Sequence, residues 1–113
     1  MRIIFIGSVY FSREMLEKLI LMQANIVGVV TKKFSKFNAD FEDLSSVAFQ
    51  NNIPFNYVQN INEKSSVEWI KNLNPEVIFC FGWSNLIENE ILGEVGYPFY
   101  VDHRVLIPRS PFA

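Results

Sequence analysis

The segment Val77-Ile78-Phe79-Cys80-Phe81 is the most strand-like stretch of this chain, and the turn Gly82-Trp83-Ser84 follows it directly. A continuous apolar run without polar alternation is typical of a strand that is covered on both faces, as in a parallel sheet. Asn74-Pro75 precedes the run and predicts the end of a helix, because proline cannot continue one. The segment therefore predicts a buried strand that enters a sheet from a crossover helix.

Two other apolar runs, Ile3–Ile6 and Ile26–Val30, have the same character, and Gly7 closes the first of them. Between them four apolar residues recur at helical spacing, namely Met15, Leu16, Leu19 and Ile20. This spacing predicts a helix after a turn at residues 8–12, and Asn25 is the expected helix end.

The remaining predicted elements are a helix at 43–51, a strand at 52–58, a helix from Asn60 that carries Val67, Ile70 and Leu73, a helix at 86–92 and a strand within 101–107. Pro54 favours an edge position for the strand at 52–58. The order of strands and helices predicts an α/β fold, a Rossmann-like parallel sheet with flanking helices. The strands at Ile3–Ile6 and Val77–Phe81 should lie side by side at its centre.

The composition describes one domain of 113 residues, half apolar and 15% aromatic, with a formal charge of −2. This charge indicates no basic surface for nucleic acid, so we expect a small-molecule partner and no nucleic acid. Cys80 is the single cysteine, and the sequence shows neither a signal peptide nor a bilayer-length apolar run, which together predict a cytoplasmic protein without disulfides. The basic group Lys32, Lys33 and Lys36 is expected in a solvated loop, and contact with a phosphate-bearing substrate is the alternative.

The first strand–turn–helix unit lacks the three glycines of a dinucleotide-binding turn, since Gly7 stands alone. Free backbone N–H groups with the Ser8 and Ser12 hydroxyls can receive an anion there, or Ser12 can simply cap the helix. At the later turn, Gly82 and Trp83 can offer a ligand close backbone approach and a flat wall, or Trp83 can cover the core.

His103 is the single histidine and can act as a general acid or base, although a lone histidine near a chain end is also a common surface or packing residue. Asp102 beside it adds little, because adjacent side chains on a strand point to opposite faces. One histidine and one cysteine with scattered carboxylates do not form a zinc site, so no metal is expected.

Two segments, Met1–Ser12 and Asn74–Ile87, resemble the folate-dependent formyltransferase family, which includes methionyl-tRNA, glycinamide ribonucleotide and sugar N-formyltransferases. The resemblance covers residues 1–92 and implies transfer of a formyl group from 10-formyltetrahydrofolate to an amine. An amino-sugar nucleotide is the favoured acceptor and methionyl-tRNA the next. The loop that would hold the pterin ring corresponds to Phe81, Gly82, Trp83, Ser84 and Leu86. Ser8 and Phe11 would lie near the acceptor.

The family's catalytic pattern is an Asn-x-His pair followed by a Leu-Pro turn, an Arg-Gly element and a more distant Asp. Here His103 precedes Leu106-Ile107-Pro108, but Val101 stands in the place of the Asn and no Arg-Gly element or later Asp follows. Of the catalytic residues that the resemblance implies, His103 alone has a match in this sequence. We expect residues 1–95 to form the formyltransferase subdomain and 96–113 a divergent or truncated tail. The alternatives are a formyltransferase, an inactive folate-binding or homodimerising module, and a generic flavodoxin-like binding domain.

Overall fold

The computed structural model describes residues 1–33, 41–59 and 63–81, together with the backbone of 99–102. Along the chain these residues form β1 (Ile3–Ile6), α1 (Tyr10–Leu21), β2 (Ile26–Thr31), α2 (Ser45–Gln50), β3 (Phe55–Tyr57), α3 (Lys64–Asn72), β4 (Val77–Cys80) and β5 (Phe99–Asp102). The predicted helix at 86–92 and its neighbouring turn lie outside the described residues. The predicted alternation of strands and helices is confirmed from β1 to β4.

The described strands form one sheet in the order β3-β2-β1-β4-β5, and every neighbouring pair is parallel. β1 and β4 are adjacent, with Ile3 opposite Val77 and Ile6 opposite Cys80. The predicted α/β fold and the central β1–β4 pair are therefore confirmed. β3 lies at the edge of the described sheet, as Pro54 indicated.

Both faces of the sheet are covered, which explains why β1 shows no polar alternation. On one face Ile4 and Ile6 pack with Ile70 of α3. On the other face Ile3 and Phe5 pack with residues of α1 and α2. Because successive side chains of a strand point to opposite faces, both sets must be apolar.

The described helices share one way of ending: the backbone turns into the left-handed region at Gln23, Asn52 and Asn74, with φ of 61°, 58° and 51°. After α1, the Gln23 N–H donates to the Ile20 carbonyl and the Ala24 N–H to the Leu19 carbonyl, at 2.9 and 3.0 Å. This pair of bonds is a Schellman motif, which satisfies the last helical carbonyls. The expected end of α1 at Asn25 was therefore too late.

The start of α1 also differs from the expectation, since the helix begins at Tyr10 rather than after a turn at 8–12. Val9 is the extended N-cap residue, and its N–H donates to the Ser12 hydroxyl oxygen at 3.2 Å. A valine offers no side-chain cap, so the sequence around Val9 gives no ordinary helix-start signal. α2, β3 and α3 are each shorter than predicted.

β5 falls within the segment expected to diverge. Its backbone pairs with β4 in parallel, Val77 with Phe99 and Cys80 with Asp102. The strand expected within 101–107 thus overlaps β5 at two residues, and the rest of that prediction lies outside the described residues. The division of the chain at residue 95 stays a prediction.

Candidate functional site

The candidate site lies where the strand order reverses. From β1 the chain proceeds to β2 and β3 on one side, and β4 then returns to the other side of β1. Ligands of open parallel sheets bind beyond the carboxyl ends of the strands at such a switch point. Here those ends are Ile6-Gly7 and Cys80-Phe81, which lie in register on adjacent strands.

Gly7 allows the two strand ends to meet at very short range. A Cβ atom at this position would lie 2.5 Å from the carbonyl oxygen of Phe81 and 2.5 Å from the Cβ of Ser12. Real Cβ atoms do not approach other atoms so closely. The Phe81 N–H continues the β1–β4 ladder by donating to the Ile6 carbonyl at 2.9 Å. The space between Gly7, Phe81 and Ser12 is therefore occupied by the protein itself, so a ligand at the switch point must lie beyond these residues.

Ser12 connects the helix start to the end of β4. Its side chain is fully buried; the hydroxyl oxygen accepts the Val9 N–H, and the hydroxyl donates to the Phe81 carbonyl. The Ser12 hydroxyl thus takes neither the position of an N-cap side chain nor that of an exposed anion donor. It occupies the third helical position and joins two segments that lie 69 residues apart.

The two residues expected near the acceptor differ in exposure. Ser8 is fully buried, and its carbonyl accepts the Glu42 N–H at 2.9 Å. Phe11 is 39% exposed, and its ring meets the Phe81 ring edge-on at a centroid distance of 6.0 Å. Phe11 therefore lies at the switch point with an accessible face, whereas Ser8 is covered by the chain.

Phe81 is the described member of the expected pterin loop. It is half-buried, and its ring lies 5.7 Å from that of Phe5 and 5.9 Å from that of Phe79. These rings and Phe11 form an apolar wall beside the end of β4. The other expected residues, Gly82, Trp83, Ser84 and Leu86, and the expected catalytic His103 lie outside the described residues. Their roles stay predictions.

Two polar features of the carboxyl edge differ from the sequence-based interpretation. Lys32, which follows β2, is only 7% exposed, so the expectation of a solvated loop is wrong for this residue. Burial lowers the pKa of its ammonium group. At the end of β3, the Tyr57 hydroxyl donates to a carboxylate oxygen of Asp43 and contacts the Ser45 hydroxyl, both at 2.8 Å.

The Tyr57 network was not foreseen, although Asp43 and Ser45 have the spacing of an Asx turn. The Ser45 N–H donates to the second carboxylate oxygen of Asp43 at 2.8 Å, as such a turn requires. The position of Tyr57 opposite this turn depends on the β2–β3 register, which local sequence does not reveal.

A separate open cleft of about 430 Å³ lies between the end of α2 and the start of β3, lined by Phe49, Asn52, Ile53, Pro54 and Phe55. It opens near the amino end of β3, away from the switch point, so it is not the candidate site. Over the described ranges, no three metal-binding side chains come together. In the same ranges, no helix has the length and apolar character needed to cross a membrane.

Comparison with known proteins identifies the class to which this fold and switch point correspond. No family model matches the chain. Alignment over 96% of its length nevertheless relates it to the amino-terminal part of the folate-dependent formyltransferase family. Relatives from several bacteria carry the name methionyl-tRNA formyltransferase.

The proteins of Thermotoga sp. strain RQ2 and Thermotoga maritima are each 29% identical to the chain over 113 aligned positions, which cover 96% of the chain and 36% of each relative. The protein of Clostridioides difficile is 30% identical over 96 positions, which cover 81% of the chain and 31% of the relative. The chain spans about a third of the length of the curated relatives it matches.

The relatives correct one expectation and fail to support another. Their name includes a transfer RNA, so the prediction that excluded a nucleic-acid partner is wrong. The charge of −2 describes residues that correspond to about a third of such a protein, so it does not exclude a nucleic-acid partner for the whole. The preference for an amino-sugar acceptor finds no support in these relatives.

Proposed function

We propose that this chain forms the folate-binding part of a formyltransferase that transfers the formyl group of 10-formyltetrahydrofolate to an amine. Methionyl-tRNA is the acceptor that the names of the relatives favour. The observation that carries the proposal is the alignment over 96% of the chain, together with a sheet whose switch point falls between Gly7 and Phe81. A cytoplasmic location is part of the same proposal.

The donor would lie beyond the end of β4. The pterin ring is flat and largely apolar at its faces, so it fits an aromatic wall such as that of Phe81 and Phe11. In the proposed site, residues Gly82, Trp83, Ser84 and Leu86 continue from Phe81 around the ring. Donors on the backbone of this loop would orient the ring by hydrogen bonds. The acceptor amine would approach from the side of Phe11.

His103 is the proposed acid–base residue. β5 ends at Asp102, opposite Cys80 at the carboxyl edge of the sheet, and His103 is the next residue along the chain. In formyl transfer the amine attacks the formyl carbon, and negative charge develops on the formyl oxygen of a tetrahedral intermediate. A positioned imidazole can donate a hydrogen bond to that oxygen or move a proton between the amine and the leaving nitrogen.

A second function, folate binding without turnover, is favoured by Val101, which stands two residues before His103 where the family has Asn. A valine side chain cannot donate the hydrogen bond that an Asn would supply to the developing charge. Loss of one such donor lowers a rate by about 100- to 1,000-fold. The two functions share the pterin site and differ in turnover.

Two single-tryptophan variants test the pterin site. The chain contains two tryptophans, Trp69 in α3 and Trp83 in the proposed loop. In Trp69→Phe only Trp83 emits, so addition of 5-formyltetrahydrofolate, a stable relative of the donor, should change its fluorescence saturably. In Trp83→Phe only Trp69 emits, which packs against Gly28 of β2, and the signal should not follow the same binding curve. Absence of a saturable signal from Trp83, with no binding by calorimetry, would refute the pterin site.

Turnover separates the two functions. The chain is incubated with 10-formyltetrahydrofolate and either methionyl-tRNA or an amino-sugar nucleotide, and formylated product is measured. Product that disappears with His103→Ala supports the transferase. Saturable folate binding without product supports the inactive binding module.

A further inference from the structure

The Ser12 hydroxyl makes a contact that the proposed function does not use. It donates to the carbonyl of Phe81 and accepts the N–H of Val9, so one oxygen joins the start of α1 to the end of β4. The side chain has no exposure to solvent. Removing the hydroxyl would take away one partner of the Phe81 carbonyl and one of the Val9 N–H.

The Phe81 carbonyl is where the chain leaves the sheet. The Phe81 N–H is still part of the β1–β4 ladder, since it donates to Ile6, whereas the carbonyl is bound by a side chain of the neighbouring helix. Gly7 is required for this arrangement, because a Cβ there would lie 2.6 Å from the Ser12 hydroxyl oxygen. The end of β4 at Phe81 is thus held by α1 as well as by the sheet.

We propose that Ser12 is a positioning residue for the ligand site: its hydroxyl fixes the peptide group of Phe81 and thereby the start of the loop that holds the pterin. The inference rests on the proposed function for the identity of the ligand. Ser12 touches no reacting atom in this role. It acts through Phe81, and it couples the start of α1, which carries Phe11, to the end of β4.

Ser66 provides a matched control. Like Ser12 it is the third residue of its helix, and it is 2% exposed, but it belongs to α3 on the opposite face of the sheet. Ser12→Ala and Ser66→Ala therefore remove the same group from the same helical position. A loss of general stability should appear in both variants, whereas a positioning effect should appear only in Ser12→Ala.

The first measurement needs no ligand. Amide hydrogen exchange of the full chain, corrected for the global stability of each variant, should become about tenfold faster at Phe81 in Ser12→Ala. The Phe81 N–H keeps its bond to Ile6, but loss of the hydrogen bond at the Phe81 carbonyl makes local opening of this end of the ladder easier by about the free energy of one hydrogen bond. It should stay within about twofold of wild type in Ser66→Ala. Equal exchange at Phe81 in both variants would overturn the positioning role.

The second measurement uses the ligand. In the Trp69→Phe background, the dissociation constant for 5-formyltetrahydrofolate should rise about tenfold with Ser12→Ala and stay unchanged with Ser66→Ala. If the parent chain binds and Ser12→Ala binds equally well, the inference is wrong while the proposed function stands. If the parent chain does not bind, the proposed function fails, and the exchange measurement still decides whether Ser12 fixes Phe81.

A second pair of variants covers the case in which Ser12→Ala does not fold. Ser12→Thr keeps the hydroxyl, and Ser12→Val has the same shape without it. Any penalty from the added methyl group is common to both, so their difference isolates the oxygen. Slower exchange at Phe81 and tighter folate binding in Ser12→Thr than in Ser12→Val support the role of Ser12. Identical behaviour contradicts it.

Discussion

Replacement of Gly7 by alanine should destabilise this protein far more than the same change at Gly28. Both glycines are buried in the sheet region, and a Cβ at either position meets other atoms at short range. At Gly28 the nearest atoms are the tips of Leu73 and Trp69, at 2.6 and 2.9 Å. At Gly7 one of the nearest atoms is the backbone carbonyl oxygen of Phe81.

The size of the difference follows from which atoms can move. At Gly28 side-chain tips can shift, so overpacking of about 1–3 kcal/mol is partly offset by the ~0.4–1 kcal/mol gained from a less flexible unfolded chain, and the net loss is about 1 kcal/mol. At Gly7 relief requires that the ends of β1 and β4 separate. This movement breaks the Ser12–Phe81 and Phe81–Ile6 hydrogen bonds, at about 0.5–1.5 kcal/mol each, in addition to the overpacking. We expect a net loss of about 3 kcal/mol or more.

Urea unfolding followed by circular dichroism at 222 nm measures both values, and the two variants should show the same slope as the parent chain. A Gly7→Ala variant that loses no more stability than Gly28→Ala would refute the close approach of the two strand ends. A double variant with Ser12→Ala gives a further check. Because the Phe81 oxygen and the residue-12 Cβ remain, most of the Gly7→Ala loss should persist in that background.

Three other outcomes are expected. The Arg2 guanidinium donates from Nε and Nη2 to the Leu73 carbonyl at 2.9 and 2.7 Å at the end of α3. A lysine cannot reproduce this pair of hydrogen bonds from one guanidinium group. Arg2→Lys should therefore lower the free energy of unfolding in urea by about 1–2 kcal/mol, nearly as much as Arg2→Ala, and an unchanged stability of Arg2→Lys would contradict the role of the paired hydrogen bonds. Ile70 is fully buried in α3, so Ile70→Ala should lose about 2–5 kcal/mol in the same assay, against less than about 0.5 kcal/mol for an exposed neighbour such as Glu68→Ala. Burial lowers the pKa of Lys32, so the unfolded chain binds more protons between that lowered pKa and the ordinary value of 10.5. Across this window the unfolding free energy of the parent chain should rise with pH relative to Lys32→Met, and a constant difference would show that Lys32 titrates normally.

The strands of this fold could be predicted because their signal is local. β1, β2 and β4 are short apolar runs that must be buried on both faces, and no contact with a distant residue is needed to recognise them. The central β1–β4 pair also followed from these runs. Helix ends were harder, because Gln23 and Asn52 enter the left-handed region without being glycine. The Schellman bonds after α1 become visible only in three dimensions.

The sequence singled out the turn after β4, and its role as a site stays a prediction because the turn lies outside the described residues. The residue before it, Phe81, lies beside Gly7 at the switch point. The contact of Ser12 with Phe81 spans 69 positions, and no local pattern announces it. The burial of Lys32 has a similar origin, since the basic group Lys32, Lys33 and Lys36 gives no indication of which residues pack against the first lysine. The exclusion of a nucleic-acid partner was wrong, because it rested on a net charge that describes only the residues counted.

The described polar groups of the candidate site fix the positions of backbone segments and are poorly suited to catalysis. At the switch point, the Ser12 hydroxyl, the Val9 N–H and the Phe81 carbonyl are engaged with one another, and the exposed groups there are aromatic faces such as that of Phe11. Groups engaged in this way are poor candidates for proton transfer. If the chain transfers formyl groups, the polar chemistry is therefore expected from segments outside the described ranges, and the segments that follow Phe81 and Asp102 are the ones that the resemblance indicates. These segments carry Trp83 and His103, which is why the tryptophan titration and the His103→Ala assay address the function most directly.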